Sequence, residues 1–124
     1  MKASNPHRFL LISDAADDHW NQVLREALAV LGPLQIVSEG EAAALLQVHA
    51  YDTVIIDAGA VSSAPKELIR QIHQLDPGAR VVVVTASPHW KIAKAVIRAG
   101  AADYVEKTLN RDEILACFGK ILEQ

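Results

Sequence analysis

Five short apolar runs recur along the chain, and a stretch with helical spacing follows each of them. The runs are RFLLIS at 8–13, LQIV at 34–37, TVIID at 53–57, RVVVVT at 80–85 and DYVE at 103–106. The third and fourth runs are continuous and rich in β-branched residues, as in strands that are buried on both faces of a parallel sheet. The pattern therefore predicts five strands that alternate with five helices.

Each stretch between the runs carries apolar residues three and four positions apart, the spacing of a helix with one buried face. The predicted stripes are Trp20, Val23, Leu24, Ala27, Leu28 and Leu31 in the first helix, Leu45 and Leu46 in the second, Leu68, Ile72 and Leu75 in the third, Ile92, Ala93, Val96 and Ile97 in the fourth, and Ile114, Leu115, Phe118, Ile121 and Leu122 in the fifth. Helix-end signals support these assignments. Gly32-Pro33 ends the first helix, Ser38 and Glu41 form a capping box, and Pro65 suits a first helical turn.

Short connections between alternating strands and helices favour a parallel sheet with helices on both faces, because parallel strands need crossover connections. The predicted fold class is therefore a doubly wound α/β sandwich. With 124 residues, the chain has the length of one domain with one core, so residues 1–124 are predicted to form a single domain.

Composition narrows the class of protein further. The chain is 51% hydrophobic and 22% charged, and no apolar run approaches the roughly 18 residues of a membrane helix. The run FLLI near the start is too short for a signal peptide, so a cytoplasmic location is expected. Cys117, the single cysteine, cannot form an internal disulfide. A net charge of −3 argues against direct nucleic-acid binding by this domain.

Polar residues follow the predicted strands where, in doubly wound sheets, ligands bind beyond the carboxyl ends of the strands. They are Ser13-Asp14 after the first strand, Asp57 at the end of the third, Thr85 at the end of the fourth and Lys107 after the fifth. Residues 58–60 are too small to cover Asp57, so an open acid is expected. Two carboxylates favour a divalent metal, one carboxylate can attack phosphorus, and an amine and a hydroxyl can hold phosphoryl oxygens.

From Arg8 to about Leu122, the sequence resembles the response-regulator receiver domain of two-component signalling. The resemblance is carried by the ends of the predicted strands. The matching positions are Ser13-Asp14, Asp57, Thr85-Ala86, and Tyr104 and Lys107 within GAADYVEK. The resemblance implies a flavodoxin-like (βα)5 fold, with strand order 2-1-3-4-5.

The resemblance also implies a function. Asp57 would accept a phosphoryl group from a histidine kinase or a phosphotransfer protein, and Thr85 and Lys107 would contact that group. Mg²⁺ would be bound by Asp14, Asp57 and the backbone carbonyl of Gly59, and Tyr104 would be the switch aromatic. Apart from this self-directed phosphoryl transfer, such a domain is not an enzyme.

Three positions depart from the family pattern. Ser13 replaces the first acid of the usual pair, Thr108 replaces the proline that usually follows the lysine, and Ala60-Val61 replaces a frequent Met-Pro. A cis peptide without proline costs about 2.5 to 4 kcal/mol, so the loop after Lys107 is expected to differ from that of the family. The departures bear on the efficiency of phosphorylation.

Other readings remain open. The chain could be a phosphorylation-independent pseudo-receiver that binds partners constitutively. An aspartyl-nucleophile phosphatase or a flavin-binding protein is disfavoured, because no acid lies two residues after Asp57 and no Gly-rich phosphate loop follows the first strand.

Single residues also have simpler interpretations. Asp57 alone could be a turn cap. Asp17 and Asp18 are interpreted as N-terminal acids of the first helix, and the histidines lack the spacing of metal ligands.

The fourth helix offers a candidate partner surface. Lys91, Lys94 and Arg98 follow helical spacing on the side predicted to lie opposite Ile92 and Val96. The acids expected on neighbouring elements are Glu106 and Glu113. A surface with both signs of charge suits a homodimer built from helix 4, strand 5 and helix 5, although an ordinary solvated helix face would show the same pattern.

Overall fold

Strands and helices alternate along residues 7–14 and 19–123, the part of the chain that the computed structural model describes. The strands are β1 (Phe9–Ile12), β2 (Leu34–Val37), β3 (Thr53–Asp57), β4 (Arg80–Thr85) and β5 (Asp103–Glu106). The helices are α1 (His19–Leu28), α2 (Glu39–Val48), α3 (Pro65–Leu75), α4 (Trp90–Arg98) and α5 (Arg111–Leu122). A 3₁₀ turn, Ala58–Ala60, follows β3. Every predicted strand is confirmed, and only β1 is shorter than its apolar run.

The strands form one parallel sheet in the order β2-β1-β3-β4-β5. The predicted doubly wound, flavodoxin-like fold is therefore confirmed. The strand order reverses between β1 and β3, which pair with Ile12 opposite Ile56. Ser13, the residue after β1, and Asp57, the last residue of β3, thus lie at the same edge of the sheet, where such folds bind their ligands.

Alternate residues of the central strands face two separate cores. Leu10, Ile12, Val54, Ile56, Val81 and Val83 pack with α2, α3 and α4, whereas Phe9, Leu11, Ile55, Val82 and Val84 pack with α1 and α5. Burial on both faces explains why these strands read as continuous apolar runs in the sequence. Two of the helix-end signals are also confirmed: Ser38 and Glu41 form the capping box of α2, and Pro65 is the first residue of α3. The end of the first helix is wrong by three residues, because α1 ends at Leu28 and Leu31 lies beyond it.

The predicted apolar stripe of α4 is wrong in part. Val96 is buried, but Ile92 and Ile97 are 46% and 47% exposed. Ile92 and Ile97 are exposed because α4 packs only against α3 and the edge strand β5 among its main contacts. The strand β5 is itself only partly buried. Leu75 was also expected in the core and is exposed, since the buried face of α3 includes Ile69 and leaves Leu75 at its rim.

Candidate functional site

The carboxylate of Asp57 is completely buried at the end of β3. Its Oδ2 accepts a hydrogen bond from Lys107 Nζ at 2.9 Å, and its Oδ1 accepts one from the Gly59 N–H at 3.3 Å. The expectation of an open acid is therefore wrong. Small residues do follow Asp57, but a carboxylate removed from water needs a counter-charge, and Lys107 supplies it.

Lys107 contacts an aromatic ring as well as a carboxylate at this site. Besides its ion pair with Asp57, its Nζ lies 4.7 Å from the ring centroid of Trp20, a buried residue in the first turn of α1. The backbone N–H of Lys107 donates to the carbonyl of Thr85, which holds the start of the loop beside β4. Lys107 thus reaches Asp57 without the family's proline, and no peptide bond in the described residues is cis. Thr108 instead donates its hydroxyl to Glu113 of α5 at 3.0 Å.

Asp14 and Gly59 line one cavity of about 370 Å³. The N–H of Asp14 donates to the carbonyl of Ala60 at 2.9 Å, so the segment after β1 is joined to the turn after Asp57. The side chain of Asp14 is exposed, whereas Ser13 is buried. The structure therefore brings Asp14 and Gly59, two of the predicted metal ligands, to the same opening.

Thr85 and Tyr104 line a different cavity, of about 580 Å³, which Gly59 also borders. Both side chains are half-buried. The Thr85 hydroxyl accepts from the N–H of Ser87 at 3.1 Å, and the Tyr104 hydroxyl accepts from the N–H of His89 at 3.3 Å. Because His89 caps the N-terminus of α4, Tyr104 connects β5 to the start of that helix.

The loop between Asp57 and α3 is anchored by Glu39, the first residue of α2. The Glu39 carboxylate accepts hydrogen bonds from the backbone N–H groups of Ser62 and Ser63 and from the Ser63 hydroxyl. These bonds, the Ser63 hydroxyl first, hold the pKa of Glu39 below its ordinary value. The ionised carboxylate therefore fixes the segment that continues from Gly59.

The oxygen donors at this edge fit a hard divalent cation. Two carboxylates, Asp14 and Asp57, and the carbonyl of Gly59 are the type of ligand that Mg²⁺ takes, with water completing the shell. Within residues 7–14 and 19–123, no group of three or more His, Cys, Asp or Glu side chains could hold a metal ion. Asp17 and Asp18 lie outside the described residues. The predicted ligands therefore carry little negative charge, because Ser13 stands where a further acid is usual.

Sequence reasoning missed the roles of Trp20 and Glu39. Trp20 was interpreted as core packing, which is confirmed, but its contact with Lys107 joins α1 to a loop far along the chain. No local pattern reports such a contact. For Glu39, no local signal was available, because Ser62 and Ser63 lie 23 and 24 residues along the chain.

Cys117 is half-buried in a cavity that Trp20 and Lys107 also line. Burial, with Asp103 nearby, raises the pKa of its thiol. The thiol therefore stays protonated at neutral pH, which is unfavourable for nucleophilic chemistry.

Comparison with known proteins agrees with this geometry. Residues 15–118 match the family model of the response regulator receiver domain. The chain therefore belongs to the family of receiver domains found in two-component response regulators, which are signalling domains.

None of the helices in residues 7–14 and 19–123 has both the length and the apolar character that a bilayer crossing requires.

Two relatives differ in how much of their length the chain matches. It is 26% identical over 120 residues to the chemotaxis protein CheY of Bacillus subtilis, with 94% of this chain and 98% of CheY covered. It is 31% identical over 117 residues to DctD, a C4-dicarboxylate transport transcriptional regulatory protein of Pseudomonas aeruginosa. That match covers 92% of this chain but only 25% of DctD.

Solved structures show the same architecture. The BeF3-activated DrrB receiver domain superposes with a TM-score of 0.80 at 25% identity, covering 97% of this chain and all of that chain. A response regulator from Thermotoga maritima reaches a TM-score of 0.83 at 21% identity over the same shares, a likeness in fold alone.

Proposed function

We propose that this chain is a phosphoacceptor receiver, which takes a phosphoryl group on Asp57 from a histidine kinase or a phosphotransfer protein. The observation that carries the proposal is the Asp57–Lys107 pair, a buried carboxylate with an ammonium group 2.9 Å away at the ligand-binding edge of the sheet. Membership of the receiver family supports the same role.

The chemistry is an exchange of bonds at phosphorus. A carboxylate oxygen of Asp57 bonds to phosphorus while the bond from phosphorus to the donor's imidazole nitrogen breaks, and that nitrogen keeps the electron pair. Because Asp57 is buried, the Lys107 ammonium must give up its contact with Oδ2 and then contact a phosphoryl oxygen. The hydroxyl of Thr85 is the second group proposed to bind the phosphoryl oxygens.

Asp14, Asp57 and the Gly59 carbonyl are the residues proposed to hold Mg²⁺. When bound, the cation supplies charge neutralisation at the phosphoryl oxygens. The neutral Ser13 adds no charge to this set, so weaker Mg²⁺ binding is expected than with a full acidic pair. The expectations of a cytoplasmic location and of no direct nucleic-acid binding remain predictions.

Asp57 is expected to be the single phosphorylated residue. Incubation with acetyl phosphate and Mg²⁺ should add the mass of one phosphoryl group to the wild type, and Asp57→Asn should show no addition, because the nucleophile is gone. Intact-mass spectrometry measures both. Asp112→Asn, the same substitution at an exposed position of α5, is the matched control and should keep the addition.

Two outcomes would contradict this proposal. Retained phosphorylation in Asp57→Asn would place the acceptor elsewhere. No mass addition in the wild type, with Mg²⁺ present, would favour the second candidate, a pseudo-receiver that binds partners without phosphorylation. The observations that favour this candidate are Ser13 in place of an acid and Thr108 in place of the usual proline.

The surface of α4 and its neighbours is proposed to bind a second copy of the chain or another partner. Lys91, Lys94 and Arg98 are exposed on α4, and Glu106 and Glu113 are exposed on β5 and α5. This face also exposes more apolar area than the sequence indicated. The apolar residues in question are Ile92 and Ile97.

Phosphorylation is expected to strengthen self-association through this face, with the Tyr104 link to α4 responding to changes at Thr85. In sedimentation velocity with beryllium fluoride as phosphoryl mimic, Lys94→Glu/Arg98→Glu should abolish an activated dimer, and raised salt should weaken it. Arg25→Glu/Arg70→Glu makes the same change in charge on α1 and α3 and should leave the dimer intact. A dimer that is indifferent to Lys94→Glu/Arg98→Glu and to salt would place the interface elsewhere.

A further inference from the structure

The indole of Trp20 lies beside the same ammonium group that pairs with Asp57. Lys107 Nζ is 4.7 Å from the Trp20 ring centroid and 2.9 Å from Asp57 Oδ2. A cation within about 6 Å of an indole centroid is attracted to the ring face, and the attraction grows as water is excluded. Both side chains are largely shielded here, with Trp20 6% and the Lys107 side chain 19% exposed.

Trp20 and Lys107 differ in how firmly their side chains are held. Lys107 itself lies in the loop between β5 and α5, and its side chain is a flexible four-carbon stem. Trp20 belongs to α1 and packs into the core shared with α5, so its ring has a fixed place. A rigid ring on a helix can therefore restrain a flexible side chain that comes from a loop.

We propose that Trp20 is a positioning residue for Lys107, whose ammonium group the indole face holds beside Asp57. The two residues also line a cavity of about 440 Å³, which gives the ammonium room to shift when a phosphoryl group is added. Trp20 then limits that shift to positions near Asp57. The consequence for phosphoryl transfer rests on the proposed function, whereas the restraint on Lys107 does not.

NMR tests the restraint without phosphorylation. Ring current from Trp20 should move the ε-methylene signals of Lys107 upfield of those of the other lysines, in protein free of Mg²⁺. Lys107→Met identifies the signal by its disappearance. The upfield shift should be lost in Trp20→Met and partly kept in Trp20→Phe, which retains an aromatic face.

Asp57→Asn provides a second measurement with Trp20 intact. This substitution removes the ion pair, so an upfield signal that persists shows that Lys107 stays at the ring without its pairing to Asp57. A Lys107 signal that is not upfield in the wild type, or one that reverts in Asp57→Asn, would overturn the proposal. These results do not depend on whether Asp57 is ever phosphorylated.

Phosphorylation by acetyl phosphate tests the consequence. Trp20→Met should lower the rate constant by roughly 5-fold, the factor that corresponds to an ordinary cation–π contact, with half-saturation by the donor unchanged. Trp20→Phe should lose less. The matched control is Phe9→Leu, which removes an aromatic ring from the same core on β1 and should keep the wild-type rate. A wild-type phosphorylation rate in folded Trp20→Met would overturn the positioning role of Trp20. If the wild type shows the upfield Lys107 signal but is not phosphorylated, only the proposed function is overturned.

Discussion

Replacing Lys107 with methionine is expected to lower the free energy of unfolding by about 3 kcal/mol at pH 7 in the absence of Mg²⁺. Methionine keeps much of the apolar stem but removes the ammonium group. The Asp57 carboxylate, which is completely buried, then loses the charge 2.9 Å from Oδ2 and keeps the longer bond from Gly59. A buried charge without a counter-charge is among the most destabilising defects in a folded protein.

Urea denaturation of four proteins distinguishes this cause from lost packing. Asp57→Asn/Lys107→Met should recover most of the stability that Lys107→Met loses, because the carboxylate is gone as well. Lys94→Met, on the exposed face of α4, is the matched control and should change stability little. The explanation fails if Lys107→Met resembles Lys94→Met, or if the double variant is no more stable than Lys107→Met.

Gly32→Ala is expected to cost about 2 to 4 kcal/mol of folding free energy. A methyl group at Gly32 would lie 1.7 Å from the carbonyl oxygen of His7, and the residue has a φ of +157°. The contact cannot relax cheaply, because the His7 N–H donates to Leu31 and the Phe9 N–H donates to Pro33. The clash therefore pushes the start of β1 away from the turn that leads into β2.

Gly40→Ala is the matched control for this prediction. Gly40 lies in the first turn of α2, where a methyl group would meet nothing within 4 Å. Alanine there should be neutral or stabilise by up to about 1 kcal/mol, because glycine loses more backbone entropy in a helix. Equal denaturation midpoints for Gly32→Ala and the wild type would contradict the close approach of His7 to the turn.

The strands and most helix ends were predictable from the sequence. β3 and β4 are buried on both faces, so their sequences are uninterrupted apolar runs whose limits can be counted directly. The capping box at Ser38 and the proline at the start of α3 act on their own backbone, within one helical turn. Such short-range signals can be recognised in the sequence because the interacting residues lie close together along the chain.

The candidate site was predictable in its residue types and in its place at the sheet edge. Alternating strands and helices put the ends of β1, β3 and β4 at one edge, so Asp14, Asp57 and Thr85 were identified before any contact was known. Their individual roles remain predictions.

Only the tertiary structure decided how these residues meet. The sequence by itself determined the elements, the fold class and the acids, because those depend on periodicity and on short-range signals. The burial of Asp57, its pairing with Lys107 and the placement of Trp20 against that lysine join segments far apart in the chain. The exposure of Ile92 and Ile97 likewise depends on how much of α4 the neighbouring elements cover. Such contacts are set by packing across the whole domain, which no local pattern encodes.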